Sequence, residues 1–179
     1  VDLELARDQT FVRCAMLIRL MAVGTKMPGW INAGFSEYAK RLPRECRLEL
    51  VEIALAKRSK ATTIDLIRER EGEKMISLIP NNSHVVALDM EGDNWSTEQL
   101  ASKMNGWIRN AAPVALLIGG PDGLSADCKL KASQKWSLSA LTLPHLLVRV
   151  IVAEQIYRAW SLMKGHPYHR GSKELHGNG

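Results

Sequence analysis

An apolar stretch that ends in two glycines is the feature of the sequence that most directly suggests a binding site. In LLIGGPDGLS, Leu116–Ser125, the apolar residues predict a buried strand, and the turn after it leads to a serine that can begin a helix. A phosphate-binding turn would need a Lys or Arg here, and the chain contains neither Gly-Lys-Ser nor Gly-Lys-Thr. Gly119 and Gly120 therefore predict either a sharp strand-to-helix turn or close backbone approach to a ligand that brings no pyrophosphate.

The stretch SLSALTLPH, Ser137–His145, predicts a second part of such a site. A strand predicted over WSLSALTL runs into Pro144, which fixes the bend and opens the next helix. The first turn of that helix leaves backbone N–H groups unpaired, and the leucines before it supply apolar walls. Such a slot suits a flat, neutral heterocycle such as adenine, although the same pattern also fits plain core packing.

Alternating strands and helices must position these two loops. Apolar or alternating runs predict strands at MLIRLMAV, CRLELVEI, HVVALDM, VALLIGG and WSLSALTL. Helical spacing predicts helices at GWINAGFSEYAKRL, TIDLIREREGEKMISLI, STEQLASKMNGWI, LSADCKLKASQ and HLLVRVIVAEQIYRAWSLMKG. In the first of these helices one face is expected to carry Trp30, Phe35, Tyr38 and Leu42. The pattern predicts a single α/β domain with a mainly parallel sheet and helices on both faces.

Composition leaves the partner open and argues against several classes of protein. The 179 residues carry a formal net charge of +5, a mild basic excess that permits a nucleic-acid partner without requiring one. The chain has three cysteines, and they are far apart in the sequence, which argues against a disulfide framework and against a structural zinc site. This use of cysteine favours a reducing, cytoplasmic location. An apolar stretch near the start is interrupted by Arg13 and Arg19, so neither a signal peptide nor a membrane span is expected. Residues 1–15 and 171–179 are expected to be disordered extensions.

Two further segments bear on assembly and on RNA. Residues 146–153, LLVRVIVA, are apolar almost all round, which predicts a helix buried on more than one side, either within the domain or against a second subunit. Basic residues between Lys57 and Arg70 can contact RNA phosphates. The glutamates among them favour an ordinary solvated helix face instead.

These motifs together resemble one known family. LLIGGPDGLS, WSLSALTLPHLLVRVIVAEQIYRAWS and the terminal HPYHR are similar to the RlmH (YbeA) family of SPOUT methyltransferases, and LMAVGTKMPGW is similar to the opening of that family. The resemblance extends from Met16 to Arg170, so the domain is expected to span residues 16–170.

The resemblance implies both a fold and a reaction. The fold implied is an α/β domain with a C-terminal trefoil knot, an exception to the rule against knotted chains. The reaction implied is transfer of a methyl group from S-adenosylmethionine to N3 of a pseudouridine in 23S ribosomal RNA, carried out by a homodimer on the assembled ribosome. The cofactor-binding residues implied are Leu88, Gly119, Gly120, Leu138, Ser139, Ala140, Leu141, Thr142 and Leu143.

The same resemblance implies that the C-terminal tail acts on the RNA side of the reaction. N3 of a uracil-type ring carries a proton and is a poor nucleophile near neutral pH, so the enzyme must help that proton to leave. His169 has an imidazole with a suitable pKa, Arg170 can bind phosphate or a developing anion, and Tyr168 can stack on a base. In a homodimer the tail of one subunit can complete the pocket of the other. No metal is expected, since no further ligands cluster near the tail histidines.

Two other functions remain open on the sequence. A ribosome-binding assembly factor with a vestigial cofactor pocket would also bind RNA, but it would not need both an intact pocket and an intact HPYHR tail. A flavodoxin-like nucleotide-binding module would need a phosphate loop after its first strand, where AVGTKMPGW is poor in Ser and Thr. The methyltransferase is therefore the favoured prediction.

Overall fold

A computed structural model describes residues 15–168 of the chain, so the predicted tail residues His169 and Arg170 and both predicted extensions lie outside the described residues. The strands are β1 Met16–Val23, β2 Cys46–Ile53, β3 His84–Asn94, β4 Val114–Ile118 and β5 Gln134–Ser137. The helices are α1 Gly29–Ala39, α2 Ile64–Leu78, α3 Thr97–Asn110, α4 Ala126–Lys131 and α5 His145–Met163. This order confirms the predicted alternation of strands and helices.

The strands described form one parallel sheet with helices on both faces. The strand order is β2-β1-β4-β3-β5, and every neighbouring pair is parallel. Helices α1, α3 and α5 pack their apolar side chains against one face, while α2 and α4 cover the other. The predicted α/β class is confirmed, and the trefoil knot stays a prediction.

Burial explains which apolar runs became the central strands. All five residues of β4 are buried, as are six of the eight residues of β1, so these two strands lie at the centre of the sheet. The predicted apolar face of α1 was partly wrong, because Trp30 is 62% exposed while Phe35 is buried against the sheet. At this end of α1 the buried side chain is that of the next residue, Ile31, which is 1% exposed.

The predicted strand over WSLSALTL was too long. Strand β5 ends at Ser137, and residues 138–143 form a loop instead. The hydroxyl of Ser137 donates to the Ser139 carbonyl at 3.2 Å, and the Leu141 amide donates to the Ser139 hydroxyl at 2.9 Å. These local side-chain hydrogen bonds compete with the sheet ladder and curl the chain away from it.

A serine cap fixes the start of α4, the helix that follows the glycine turn. Ser125 accepts a hydrogen bond from the Cys128 amide at 3.2 Å and so confirms the predicted cap of α4. Gly72 of α2 lies directly against this cap, since a Cβ at Gly72 would lie 2.1 Å from the Ser125 hydroxyl oxygen. The glycine that weakens α2 as a helix is therefore what allows α2 and α4 to pack closely.

Helix α5 is confirmed, with Pro144 immediately before it. Val152 and Ile156 are fully buried in the core of their own chain. Within the predicted segment 146–153, Val152 therefore packs inside its own chain and is not available to a second subunit. Partly exposed apolar side chains remain on other sides of the same segment, at Leu146, Leu147 and Ile151. The dimer itself stays a prediction.

Candidate functional site

A cavity of about 560 Å³ opens where the central strands end. It lies at the carboxyl ends of β4 and β5 and beside residues 88–91 in the middle of β3, at the edge where open parallel sheets bind their ligands. The glycine turn forms one wall, and residues 138–143 with the start of α5 form the other. The predicted cofactor residues that line it are Leu88, Gly119, Gly120, Leu138, Ser139, Leu141, Thr142 and Leu143. Ala140 is the predicted residue that does not line the cavity, and the binding of a cofactor by this group stays a prediction.

Gly119 is required by the turn itself. A Cβ on Gly119 would lie 2.3 Å from the carbonyl carbon of Gly123 and 2.6 Å from the amide nitrogen of Leu124. The turn is closed by a hydrogen bond from the Gly123 amide to the Gly120 carbonyl at 3.0 Å, and Gly123 has a φ of +88° that favours glycine. The space beside Gly119 is therefore occupied by the turn's own backbone. Gly119 also lines the cavity, and the approach of a ligand to its backbone stays a prediction.

Gly120 lies against a buried carboxyl group that sequence reasoning missed. A Cβ at Gly120 would lie 3.1 Å from Oε2 of Glu71 and 3.1 Å from Cγ1 of Val23. Glu71 is 2% exposed, and its Oε1 accepts a hydrogen bond from the Ala56 amide at 2.9 Å. Its Oε2 has no hydrogen-bond partner within residues 15–168. The sequence does carry a signal, since Glu71 occupies the position four residues after buried Ile67 on the apolar stripe of α2.

The loop at the cavity mouth is apolar and partly exposed. Leu141 is 72% exposed and Met90 is 62% exposed, although both line the cavity. Thr142 reaches across the mouth, with its hydroxyl 3.9 Å from the sulfur of Met90. Exposed apolar side chains at the rim of a concave site are typical of a surface that a ligand covers.

Two ion pairs flank the cavity. Lys129 lies 2.6 Å from a carboxylate oxygen of Asp89, and Arg58 pairs with Asp122 of the glycine turn. Burial by itself would raise the pKa of Asp89, but hydrogen bonds from Lys129 and from the Glu91 amide outweigh it and hold that pKa below its usual value. Both cations are thus already neutralised by carboxylates, which disfavours a phosphate at these positions.

The start of α5 adds an imidazole to the cavity wall. His145 lines the cavity, and burial together with the charge of Arg149 lowers its pKa, while the charge of Glu71 opposes that shift. Arg149 is fully buried and donates hydrogen bonds to the carbonyls of Val23 and Gly24 at 2.9 and 2.8 Å. Sequence reasoning did not place His145 or Arg149 in the site, and the position of His145 directly after Pro144 was the available signal.

Tyr168 is held against α5 and does not line the cavity. Its hydroxyl donates to Glu154 at 3.2 Å, and its ring lies 4.7 Å from the ring of Tyr157. Burial and the charge of Glu154 raise the pKa of Tyr168 to about 12. Because Glu154 follows His145 by nine residues of α5, this contact lies about 13 Å along the helix from the cavity wall. The structure therefore does not bring Tyr168 to the cavity of its own chain.

The described residues contain neither a metal-ligand cluster nor a membrane-spanning helix. Residues 15–168 contain no group of three or more His, Cys, Asp or Glu side chains that could hold a metal ion. No helix in the same range is long and apolar enough to cross a lipid bilayer.

Comparison with known proteins supplies family and fold neighbours. A family model described as "Predicted SPOUT methyltransferase" matches residues 16–169. The chain is 52% identical over 155 residues to the ribosomal RNA large subunit methyltransferase H of Hahella chejuensis, covering 87% of this chain and 99% of that protein. It is equally identical over the same length to the protein of that name from Methylococcus capsulatus, of which it covers 100%.

The sheet also resembles a solved structure of a distant protein. A probable methylase family protein from Haemophilus influenzae Rd KW20 aligns with a TM-score of 0.50 and 13% identity, over 86% of this chain and 70% of that one. At this identity the likeness concerns the fold alone.

Proposed function

Because the chain belongs to the SPOUT methyltransferases, and among them to the RlmH family, we propose that it is a ribosomal RNA methyltransferase that uses S-adenosylmethionine. The acceptor that we propose is N3 of a pseudouridine in large-subunit RNA, on the assembled ribosome. The observation that carries the proposal is the apolar cavity at the carboxyl edge of the sheet, built from the two segments that share the family's motifs.

The cavity suits this cofactor in shape and in charge. Its volume of about 560 Å³ falls in the range of small-molecule sites, and Leu88, Leu138 and Leu143 give it apolar walls for an adenosine group. When bound, S-adenosylmethionine supplies an electrophilic methyl group on a positively charged sulfur. Asp89 and Asp122 at the cavity wall are paired with Lys129 and Arg58, so these cations are compensated and do not add an unpaired positive charge that would repel the sulfonium.

The RNA side of the reaction requires residues outside the cavity of a single chain. We assign Tyr168 to base stacking, Arg170 to contact with phosphate or with the developing anion, and His169 to acceptance of the N3 proton or to contact with the RNA. Because Tyr168 is fastened about 13 Å along α5 from the cavity wall, a tail that acts there is best supplied by a second copy. This supports a homodimer in which each tail completes the partner's site.

The dimer can be tested separately from activity. Ile151→Asp places a charge on a partly exposed apolar side chain of α5, so we expect weaker self-association in sedimentation velocity. Ile64→Asp, at an isoleucine that is 56% exposed on the opposite face of the sheet, is the matched control and should sediment like the wild-type protein. A wild-type chain that sediments as a monomer at micromolar concentration would count against the shared site.

The enzymatic proposal is tested by methyl transfer to ribosomes. We expect label from methyl-labelled S-adenosylmethionine to enter large-subunit RNA when the substrate is ribosomes from a bacterial strain lacking its own copy of the enzyme. Naked ribosomal RNA run in parallel tests whether the assembled particle is needed. A protein that binds these ribosomes but transfers no label would instead be the assembly factor with a vestigial pocket.

A further inference from the structure

His145 in the cavity wall and the buried carboxyl group of Glu71 behind the glycine turn have no role in the assignments above. His145 lines the cavity from the first residue of α5. Glu71 lies on α2, on the far side of Gly120, and is close enough to His145 for its charge to act on the ring. The cavity wall therefore carries a titratable ring with a charged group behind it.

The burial of Glu71 is unusual for a residue whose only visible role is one backbone hydrogen bond. Burying a carboxyl group is unfavourable unless hydrogen bonds or an opposite charge compensate it. The Ala56 amide satisfies Oε1, but Oε2 is buried without a partner among residues 15–168. A glutamine at this position would accept the same hydrogen bond without a charge. The feature that a glutamate adds here, compared with a glutamine, is therefore its charge.

The other charged groups around His145 can be identified. Arg149 lies one turn along α5 and depresses the pKa of the ring, after the larger effect of burial. Arg149 is itself paired with Glu52 of β2 at 2.9 Å, which offsets part of its charge. Glu71 from α2 acts in the opposite sense. Burial and the charge of Arg149 thus lower the pKa of His145, which favours the neutral ring that can accept a proton.

We propose that His145 is a catalytic residue that takes the N3 proton of the acceptor base, and that Glu71 is a positioning residue that stabilises the resulting imidazolium; this role rests on the proposed function. The proton passes from N3 to an imidazole nitrogen, and the electron pair of the N3–H bond forms the bond to the methyl carbon. The bond between methyl and sulfur breaks, and its electron pair stays on sulfur. The imidazolium then releases the proton to solvent, so atoms and charge balance.

This assignment divides the work between the two histidines. His145 is fixed at the start of a helix and lies in the cavity that would hold the methyl donor. His169 belongs to the tail, whose last described residue, Tyr168, is held away from that cavity in its own chain. We therefore assign proton transfer to His145 and RNA contact to the tail.

Titration of the His145 ring tests the pair without requiring activity. The chain has five histidines, so selective carbon labelling of histidine gives few signals, and His145→Gln identifies the one to follow by NMR. Glu71→Gln keeps the acceptor for the Ala56 amide and removes the charge. We expect this change to lower the pKa of His145 further, since the charge of Glu71 favours the protonated ring. Glu73→Gln, at an exposed glutamate of the same helix, should leave the titration unchanged.

The rate of methyl transfer to ribosomes tests the chemical role. His145→Gln should bind S-adenosylmethionine with nearly unchanged affinity but transfer the methyl group about 100-fold more slowly, the usual scale for a lost general base. It should also lose the fall in rate toward low pH. Glu71→Gln should keep this fall in rate toward low pH but shift it to lower pH, by the same amount as the titration of the His145 ring. His84→Gln is the control, at a histidine in the first position of β3 and so at the opposite edge of the sheet.

The rate profiles decide whether His145 accepts the proton, and the ring titration decides whether Glu71 acts on His145. If His145→Gln has the rate and pH profile of the wild-type protein, the catalytic role of His145 is overturned. If His169→Gln then removes the fall in rate toward low pH, the proton acceptor lies in the tail. An unchanged ring titration in Glu71→Gln would overturn the positioning role. A wild-type protein that transfers no methyl group at any pH would overturn the proposed function itself, while the NMR titration would still decide whether the two groups are coupled.

Discussion

Gly119→Ala should disrupt the glycine turn instead of blocking a ligand. The added Cβ would lie 2.3 Å from the carbonyl carbon of Gly123 and 2.6 Å from the nitrogen of Leu124. Carbon atoms in contact are about 3.5 Å apart, so the two arms of the turn would have to separate by more than about 1 Å. Both contacted atoms belong to the backbone and cannot rotate away as a side chain can. The strain therefore falls on the turn that forms one wall of the cavity.

The size of the effect follows from that geometry. Overpacking typically costs about 1–3 kcal/mol, and a backbone contact this short belongs near the upper end, at about 3 kcal/mol. For a domain of this size each kcal/mol shifts the melting temperature by about 2–4 °C, so we expect a fall of about 6–12 °C. Gly106→Ala is the matched control, because no atom lies within 4 Å of its Cβ and helix α3 should gain about 1 kcal/mol from alanine.

The assay is thermal unfolding followed by circular dichroism, together with calorimetric titration of S-adenosylmethionine into each folded variant. We expect Gly119→Ala to melt at a lower temperature and to bind the cofactor weakly because its turn is displaced. Gly106→Ala should melt slightly higher than wild type and bind normally. If Gly119→Ala melts like wild type and yet fails to bind, the space beside this glycine belongs to the ligand and the reasoning is refuted.

Three further changes test the cavity rim, its flanking ion pair and the tail. Leu141→Arg removes an exposed apolar contact and adds a cation at the cavity mouth, so calorimetry should show about tenfold weaker binding of S-adenosylmethionine. Leu130→Arg, at an exposed leucine outside the cavity, is the control and should bind S-adenosylmethionine normally. The fold lowers the pKa of Asp89 below 3.8, so the pairing of Asp89 with Lys129 stabilises the folded state above that pH, and this stabilisation is lost as the pH falls through the folded pKa. Asp89→Asn should therefore lose less stability than the wild-type protein on acidification. An equal loss of stability in the two proteins would contradict this. Ultraviolet titration should show one phenol that ionises near pH 12, and Tyr168→Phe should remove it; if the two titrations coincide, the contact of the tail with α5 is wrong.

Much of the fold follows from the sequence because its signals are local. The continuous apolar run of β4 predicts a strand buried on both faces, and the serine caps at Ser96 and Ser125 are where the pattern places them. The spacing of Glu154 and Arg158 predicts an ion pair within one helix, and the structure has it, with Arg158 Nε 2.9 Å from the carboxylate. Each of these features depends on residues within a few positions of one another.

The features that the sequence did not reveal depend on contacts between distant residues or on competition between hydrogen bonds. The end of β5 at Ser137 is decided by hydrogen bonds around Ser139, which no apolar pattern reports. The reason for Gly119 lies in the fold of its own turn, and the burial of Glu71 behind Gly120 needs α2 to pack against that turn. Resemblance to a family indicated the residues around the cavity, but only the structure shows which atoms fill each space.

The central claim is most directly tested by analysing the nucleosides of ribosomes that the protein has treated. Ribosomes from a strain lacking its own copy of the enzyme would be incubated with the protein and S-adenosylmethionine carrying a deuterated methyl group. Their large-subunit RNA would then be digested and separated by mass spectrometry, with Leu141→Arg as the cavity control. The account predicts one new nucleoside, pseudouridine with a deuterated methyl group on N3, and much less of it from the control. A methyl group on another atom would contradict the proposed acceptor, and no deuterated nucleoside at all would contradict the assignment as a methyltransferase.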